Sequence, residues 1–223
     1  RYPEADLDTL RSINLKINEG EKVAILGRNG SGKSTLMKLA SGLFKASDGL
    51  VMFDGVDIRQ LHTDDLSRSI GIVLQDVQLF SGTIRDNILM GRLDISQDDL
   101  VNAGKLSGLD EFVSKIPGGY DLRLSDGGKG LSGGQRQSIA LARAIVHKPS
   151  HFILDEPTSA MDMNAENLFI NQVGSVLKDS TMLIVTHRMP LLNLVDRIIV
   201  MNEGQIAEDG PKDEIINKLN QPR

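Results

Sequence analysis

Nine residues, Gly27 to Thr35, limit the folds open to this chain more than any others: GRNGSGKST. They fit G-x-x-x-x-G-K-[ST], and their flanks supply the context that gives the pattern meaning. An apolar run of strand length, KVAIL (Lys22 to Leu26), leads in, and a helical pattern, TLMKLASGL (Thr35 to Leu43), leads out. A glycine-rich turn between strand and helix points backbone N–H groups inward around phosphate oxygens, and the helix N-terminus adds positive potential. Gly27, Gly30 and Gly32 give the backbone the freedom this needs. Lys33 is expected to reach the β- and γ-phosphates of a bound nucleotide, and the Ser34 hydroxyl to hold Mg²⁺. Arg28, Asn29, Ser31 and Thr35 complete the expected nucleotide contact.

The rest of the chain alternates short strand-like runs with helical ones, which predicts a layered α/β core with a mostly parallel sheet. GLVMFDGVDI (Gly49 to Ile58) reads as a hairpin turning at Asp54-Gly55, the antiparallel part of the fold. From Thr83 to His147 the pattern is mostly helical. Ser96 is the expected N-cap, with Asp99 three residues on, of a helix beginning near Gln97. Residues 83–147 are therefore expected to form a helical subdomain inserted into a core made of residues 1–82 and 148–223. The core resumes with HFILDE (His151 to Glu156), a helix over Ala165 to Leu177 with Leu168, Phe169, Val173 and Val176 on one face, and TMLIVTH (Thr181 to His187). RIIVM (Arg197 to Met201), a turn at Glu203-Gly204, strand QIAED and a helix starting at Pro211 complete it.

Ligands of parallel α/β sheets gather outside the carboxyl ends of the strands. Two acids and a histidine fall at such ends. Asp155 is placed to hold the Mg²⁺ shell, and Glu156 to polarise water for attack on the γ-phosphorus. His187 can hydrogen-bond the γ-phosphate. Among the other histidines, His147 lies near a helix end that suits a cation, and His62 and His151 read as surface or packing residues.

A second stretch also looks like an anion site. KGLSGGQRQ (Lys129 to Gln137) joins small residues and two adjacent glycines to a helical pattern. One domain with a complete phosphate loop has no evident use for it. Composition narrows the partners. The net charge of −5, with both signs interspersed, gives no footprint for nucleic acid. No apolar run approaches the ~20 residues of a membrane span, and the absence of cysteine excludes disulfides and thiolate metal sites. The chain begins at Arg1 rather than Met and is expected to be a piece of a longer protein.

Taken together these stretches resemble the nucleotide-binding domain of ATP-binding cassette (ABC) transporters. LSGGQ, Leu131 to Gln135, resembles the family's signature motif, and Gln75 in VLQDVQLF matches the loop that senses Mg²⁺ and the membrane partner. SAMD, Ser159 to Asp162, matches the loop after the acidic strand. His187 matches the switch histidine, and Tyr2 sits where the family stacks a ring on adenine. The RYP start and LFSGTIRDNI look like exporters, and SAMD with THR is similar to type I secretion ATPases that export RTX toxins or large adhesins. One turn departs: where exporters carry a G-E-R-G-like sequence, Ser125 to Gly130 reads SDGGKG, with Gly127 in place of the Arg.

The resemblance implies ATP and Mg²⁺ as cofactors, a transmembrane domain of the same transporter as partner, and a place on the cytoplasmic face of a bacterial inner membrane. It also answers the second anion site. Two copies paired head to tail would bring Ser132, Gly133, Gly134, Gln135 and Asp162 of one to the nucleotide held by Lys33 of the other. An importer's ATPase subunit, a soluble cassette protein of translation or repair, and a P-loop kinase or GTPase are the alternatives. The last offers no role for LSGGQ.

Overall fold

A computed structural model describes residues 7–221. In chain order the elements are β1 (Lys22–Gly27), α1 (Lys33–Ala40), β2 (Met52–Phe53), β3 (Val56–Asp57), α2 (Thr63–Ser69), β4 (Ile70–Val73), β5 (Gly82–Thr83) and α3 (Ile84–Leu89). Then follow α4 (Gln97–Leu106), α5 (Asp110–Val113), β6 (Arg123–Leu124), α6 (Gly133–Ile145), β7 (His151–Asp155), α7 (Met163–Val176), β8 (Thr181–Val185), β9 (Arg197–Asn202), β10 (Gln205–Pro211) and α8 (Lys212–Leu219).

The main sheet has the order β10-β9-β1-β8-β7-β4. Every neighbouring pair is parallel except β10 with β9. This is the mostly parallel α/β architecture expected, with β2-β3 and β5-β6 as small antiparallel pairs. Because side chains alternate across a strand, each central strand feeds two cores. Ala24, Phe152, Leu154, Met182 and Ile184 point into the layer built by α6, α7 and the helices before them. Val23, Ile25, Ile153, Leu183 and Val185 point to the other side, onto Leu36 and Met37 of α1.

Several boundaries differ from expectation for local reasons. Helix α1 starts at Lys33, two residues inside the loop, and stops at Ala40, three short of Leu43. Gly42 (φ +73°) carries the chain out in the left-handed region. Strand β7 ends at Asp155, not Glu156, because Glu156 itself is left-handed (φ +49°). Pro211 closes β10, paired with Arg197, and stands as N-cap rather than in the first turn of α8. The α7 face keeps Phe169 and Val173 buried but leaves Leu168 40% exposed; the Val176 side chain lies outside the described residues. Asp54 and Gly55 take the predicted positive φ angles (49° and 80°), and Ser96 caps α4 by accepting from the Asp99 N–H at 3.1 Å.

Helix α2 and strand β4 have no counterpart among the expected elements. Gly71 in mid-strand lowers strand propensity, yet it is needed there. A Cβ at Gly71 would meet the Ala144 carbonyl oxygen of α6 and the Phe152 ring at 2.8 Å. Helices α3 to α6 lie in the sequence between β4 and β7, which are neighbours in the sheet. Among the described residues no helix is long and apolar enough to cross a membrane.

Candidate nucleotide-binding site

The parallel strands β1, β7, β8 and β4 end on one edge of the sheet, and the predicted residues leave from those ends: Gly27, Asp155 and Glu156, His187, and Gln75. The loop after β1 is shaped by close approach as well as by torsion. Gly27, Gly30 and Gly32 have φ of +150°, +80° and +100°. A Cβ on Gly27 would collide with the Met201 carbonyl oxygen, and one on Gly32 would meet Leu10 Cδ2 at 2.7 Å. Gly32 is also the N-cap of α1, and no side chain caps that helix. Its first N–H groups are therefore left for a ligand. Lys33 Nζ donates to the Gly27 and Arg28 carbonyls at 2.8 and 2.9 Å, folding over its own loop. Arg28, Asn29 and Gly30 are exposed, Ser31 and Gly32 buried, and Ser34 and Thr35 half-buried.

Asp155 is 5% exposed. Burial raises its pKa above the ordinary carboxylate range, a hydrogen bond from Ser34 opposes this, the Glu156 charge adds to it and the Lys33 charge opposes it. Its Oδ1 is buried without a protein partner. An ionised carboxylate oxygen with no donor, beside a Ser hydroxyl, suits a hard cation that prefers oxygen ligands. Among the described residues no group of three or more His, Cys, Asp and Glu forms a self-sufficient metal site. A cation here would take much of its shell from phosphate and water, as Mg²⁺ commonly does.

Glu156 donates its backbone N–H to the Val185 carbonyl at 2.9 Å, which ties the turn after β7 to β8. Its carboxylate Oε1 accepts from His187 Nδ1 at 2.8 Å. The Glu156 side chain is 12% exposed and that of His187 73% exposed, so the pair faces solvent through the imidazole. Gln75 lies exposed two residues past β4. It lines a cleft of about 300 Å³ with Gly133, Arg136, Gln137, Ser159 and Ala160. The larger cavity, about 1150 Å³, lies elsewhere against apolar residues such as Leu10, Ile13 and Leu43, and shares only Thr35 with the described predicted ATP contacts.

The second helix start is built differently. Ser132 is the N-cap of α6; its Oγ accepts from the Gln135 N–H at 3.2 Å, and Gln135 Oε1 accepts from the Ser132 N–H at 2.8 Å. Gly133 packs so closely that a Cβ would meet Ala160 at 2.9 Å. Asp162 caps α7 by accepting from the Ala165 N–H at 2.9 Å. In the departing turn, Gly127 is left-handed (φ +69°) and donates its N–H to the Leu79 carbonyl at 3.0 Å. Tyr2 lies outside the described residues.

His147 departs from expectation. Burial pushes its pKa down to about 4, so it is neutral near pH 7 and does not serve as the cation at the end of α6. His151 packs on Phe53, with ring centroids 4.5 Å apart. The contact among three residues at the site's edge was not read from sequence: Thr158, Glu166 and Arg188, the last seen only as the end of THR. A buried hydrogen bond and an ion pair join them. No short motif signals such contacts between separate loops.

A glycine phosphate loop between β1 and α1, with two acids at the end of β7, a parallel strand separated from β1 by β8, defines a P-loop nucleotide-binding domain. Residues 10–159 match the ABC transporter family, and the chain belongs to that family as an ATPase domain. It is 42% identical over 216 residues to the cyclolysin secretion/processing ATP-binding protein CyaB of Bordetella pertussis, spanning 97% of this chain and 30% of that protein. It is 42% identical over 217 residues to the toxin RTX-I translocation ATP-binding protein of Actinobacillus pleuropneumoniae, spanning 97% and 31%. A bacterial Atm1-family ABC exporter with ATP bound superimposes with a TM-score of 0.90 at 32% identity, covering 99% of this chain and 38% of that one. The chain thus spans about a third of the length of these relatives.

Proposed function

We propose that this domain hydrolyses ATP to drive a membrane exporter, of the type I protein secretion kind. The observation that carries the catalytic part is the 2.8 Å hydrogen bond between His187 Nδ1 and Glu156 Oε1, at the strand edge beside the phosphate loop. Glu156 is the general base: its carboxylate takes a proton from the water that attacks the γ-phosphorus. His187 donates to Glu156 through Nδ1 and presents Nε2 outward, which donates to a γ-phosphate oxygen when that nitrogen carries a proton as well. Lys33 exchanges its two backbone carbonyls for phosphate oxygens, a stronger charge-assisted partner. Ser34, Gln75 and Asp155 would hold Mg²⁺, which when bound supplies positive charge to the β- and γ-phosphates. Arg28, Asn29 and the backbone from Gly30 to Thr35 surround the phosphates, and Tyr2 stacks on adenine.

The partners follow from the same reading. A second copy, paired head to tail, sets its Ser132, Gly133, Gly134 and Gln135 against the γ-phosphate, with Asp162 nearby. Ser132 accepts through its oxygen from Gln135, so its own proton remains available to donate to an anion. A transmembrane domain of the same transporter receives the motion, which places the domain at the cytoplasmic face of a membrane. The resemblance to toxin-secretion ATP-binding proteins supports export over import.

Steady-state ATP hydrolysis tests the base assignment. Glu156→Gln keeps the shape and can still accept from His187 but cannot take the proton, so kcat should fall by about 10²–10⁴-fold with ATP affinity nearly unchanged. Hydrolysis at the parent rate would refute it.

A further inference from the structure

Glu156 and His187 sit on two separate loops, and one buried carboxylate ties those loops together. Glu166, in the first turn of α7, is 5% exposed. One oxygen accepts from Thr158 Oγ1 at 2.7 Å, and the other pairs with Arg188 NH1 at 3.1 Å. Thr158, 1% exposed, lies two residues after Glu156; Arg188 follows His187 directly. The guanidinium also donates to the Met161 carbonyl at 3.4 Å, and the Arg188 N–H donates to Thr186 Oγ1 at 3.0 Å. The loops after β7 and β8 therefore cannot separate without stripping a buried charge of its partner, which is strongly unfavourable.

The imidazole needs such a hold. At 73% exposure the His187 side chain has little packing to fix it, so its place is set by its backbone. Glu156 stands at a left-handed φ of 49°, a conformation that persists only when its surroundings enforce it. We propose that Arg188, anchored on Glu166, is a positioning residue that sets the His187–Glu156 contact. Through the Met161 carbonyl it also orients the loop leading to Asp162. It touches no substrate. The inference rests on the reading of Glu156 and His187 as the catalytic pair.

The test separates the two. Removing Arg188 alone would leave Glu166 charged and buried, so the informative variant is Glu166→Gln/Arg188→Ala, which removes both charges and keeps an acceptor for Thr158. In ATPase assays on the full chain, its kcat should fall on the order of 10- to 100-fold, the scale of a small misplacement of reacting groups, with KM for ATP unchanged. Arg188→Lys, which keeps the charge but not the two-pronged contact, should recover part of that loss. Arg197→Ala is the control for plain stability. Arg197 binds Asp209 at 2.6 and 2.7 Å and Glu21 at 2.9 Å, between strands away from the pair. That variant should melt earlier with kcat kept. An unchanged kcat in the double variant, with His187→Ala impaired, overturns the positioning role and leaves the pair standing. A parent-like His187→Ala overturns the pair and the inference together. A loss in the double variant that goes with a raised KM, or with a melting shift of the size seen in Arg197→Ala and no recovery in Arg188→Lys, also overturns it.

Discussion

Two helix starts in this domain are suited to anions, and they are finished to different degrees. The start of α1 has a left-handed glycine for its N-cap and no side-chain cap; Lys33 occupies itself with the Gly27 and Arg28 carbonyls. The start of α6 is closed by a reciprocal pair of hydrogen bonds between Ser132 and Gln135. An uncapped helix end leaves its first N–H groups to water or a ligand, whereas a capped one satisfies part of them within the chain. On the proposed reading the first holds a phosphate within one chain, and the second, exposed and intact, meets a phosphate that another chain brings. The difference fits one nucleotide shared by two copies better than two independent sites.

Substitutions at the glycines should break this contrast most visibly. Gly32→Ala places a Cβ at φ +100° against Leu10 Cδ2. It should cost about 3 kcal/mol of stability from strain and overpacking, read by denaturant unfolding. Lys33→Ala acts on the ligand rather than the fold. Loss of a charged hydrogen bond should weaken ATP binding by about 1.5–3 kcal/mol, measured by titration calorimetry, while melting of the nucleotide-free chain falls only by the loss of two exposed bonds to the Gly27 and Arg28 carbonyls. Near-parent affinity would contradict the phosphate-loop reading. Gly134→Ala should do the reverse of Gly32→Ala. Gly134 has no positive φ, and its Cβ would meet only Ser132 Oγ at 3.9 Å. The nucleotide-free chain should gain about 0.5–1 kcal/mol from helix propensity.

A third region sharpens the contrast through pH. Asp155 carries a raised pKa, first because it is buried. A carboxylic acid whose folded pKa exceeds its unfolded value is least favourable to folding when ionised, so its cost is present at pH 7 and disappears as pH falls through the raised folded pKa. Asp155→Asn should therefore melt higher than the parent at pH 7 without nucleotide. The gain should vanish near the ordinary Asp pKa. The variant should also lose Mg²⁺-dependent hydrolysis. A parent-like melting temperature at pH 7 would mean that Asp155 is adequately solvated.

Much of this was legible because the decisive features are local. Glycine spacing between a strand and a helix, the Asp54-Gly55 turn and the Ser96 cap act within a few residues of themselves, and the structure has each in place. The acids at the end of β7 could be read because strand ends in a parallel sheet converge on one edge. What escaped depends on contacts distant in sequence. Strand β4 is only Ile70–Val73 and contains a glycine chosen by the packing of α6 and Phe152, so propensity points away from it. The neutral state of His147 comes mainly from burial, not from its place at a helix end. The link from Glu166 to Arg188 spans 22 residues and two loops; Glu166 carries no motif, and Arg188 is legible only as the end of THR, which does not reveal its partner. Leu168 fits the apolar face of its helix by spacing, yet it is left exposed while Phe169 and Val173 are buried.

The sharing of one nucleotide by two copies is tested most directly by sedimentation of the Glu156→Gln chain, which should hold ATP without consuming it. With ATP and Mg²⁺ it should sediment as a dimer, and with ADP or no nucleotide as a monomer. Adding Ser132→Arg sets a bulky side chain where the γ-phosphate of the other copy must sit, and should return the protein to a monomer with ATP still bound. A Glu156→Gln/Ser132→Arg chain that still dimerises on ATP would contradict the account, and would leave the capped start of α6 with a different task.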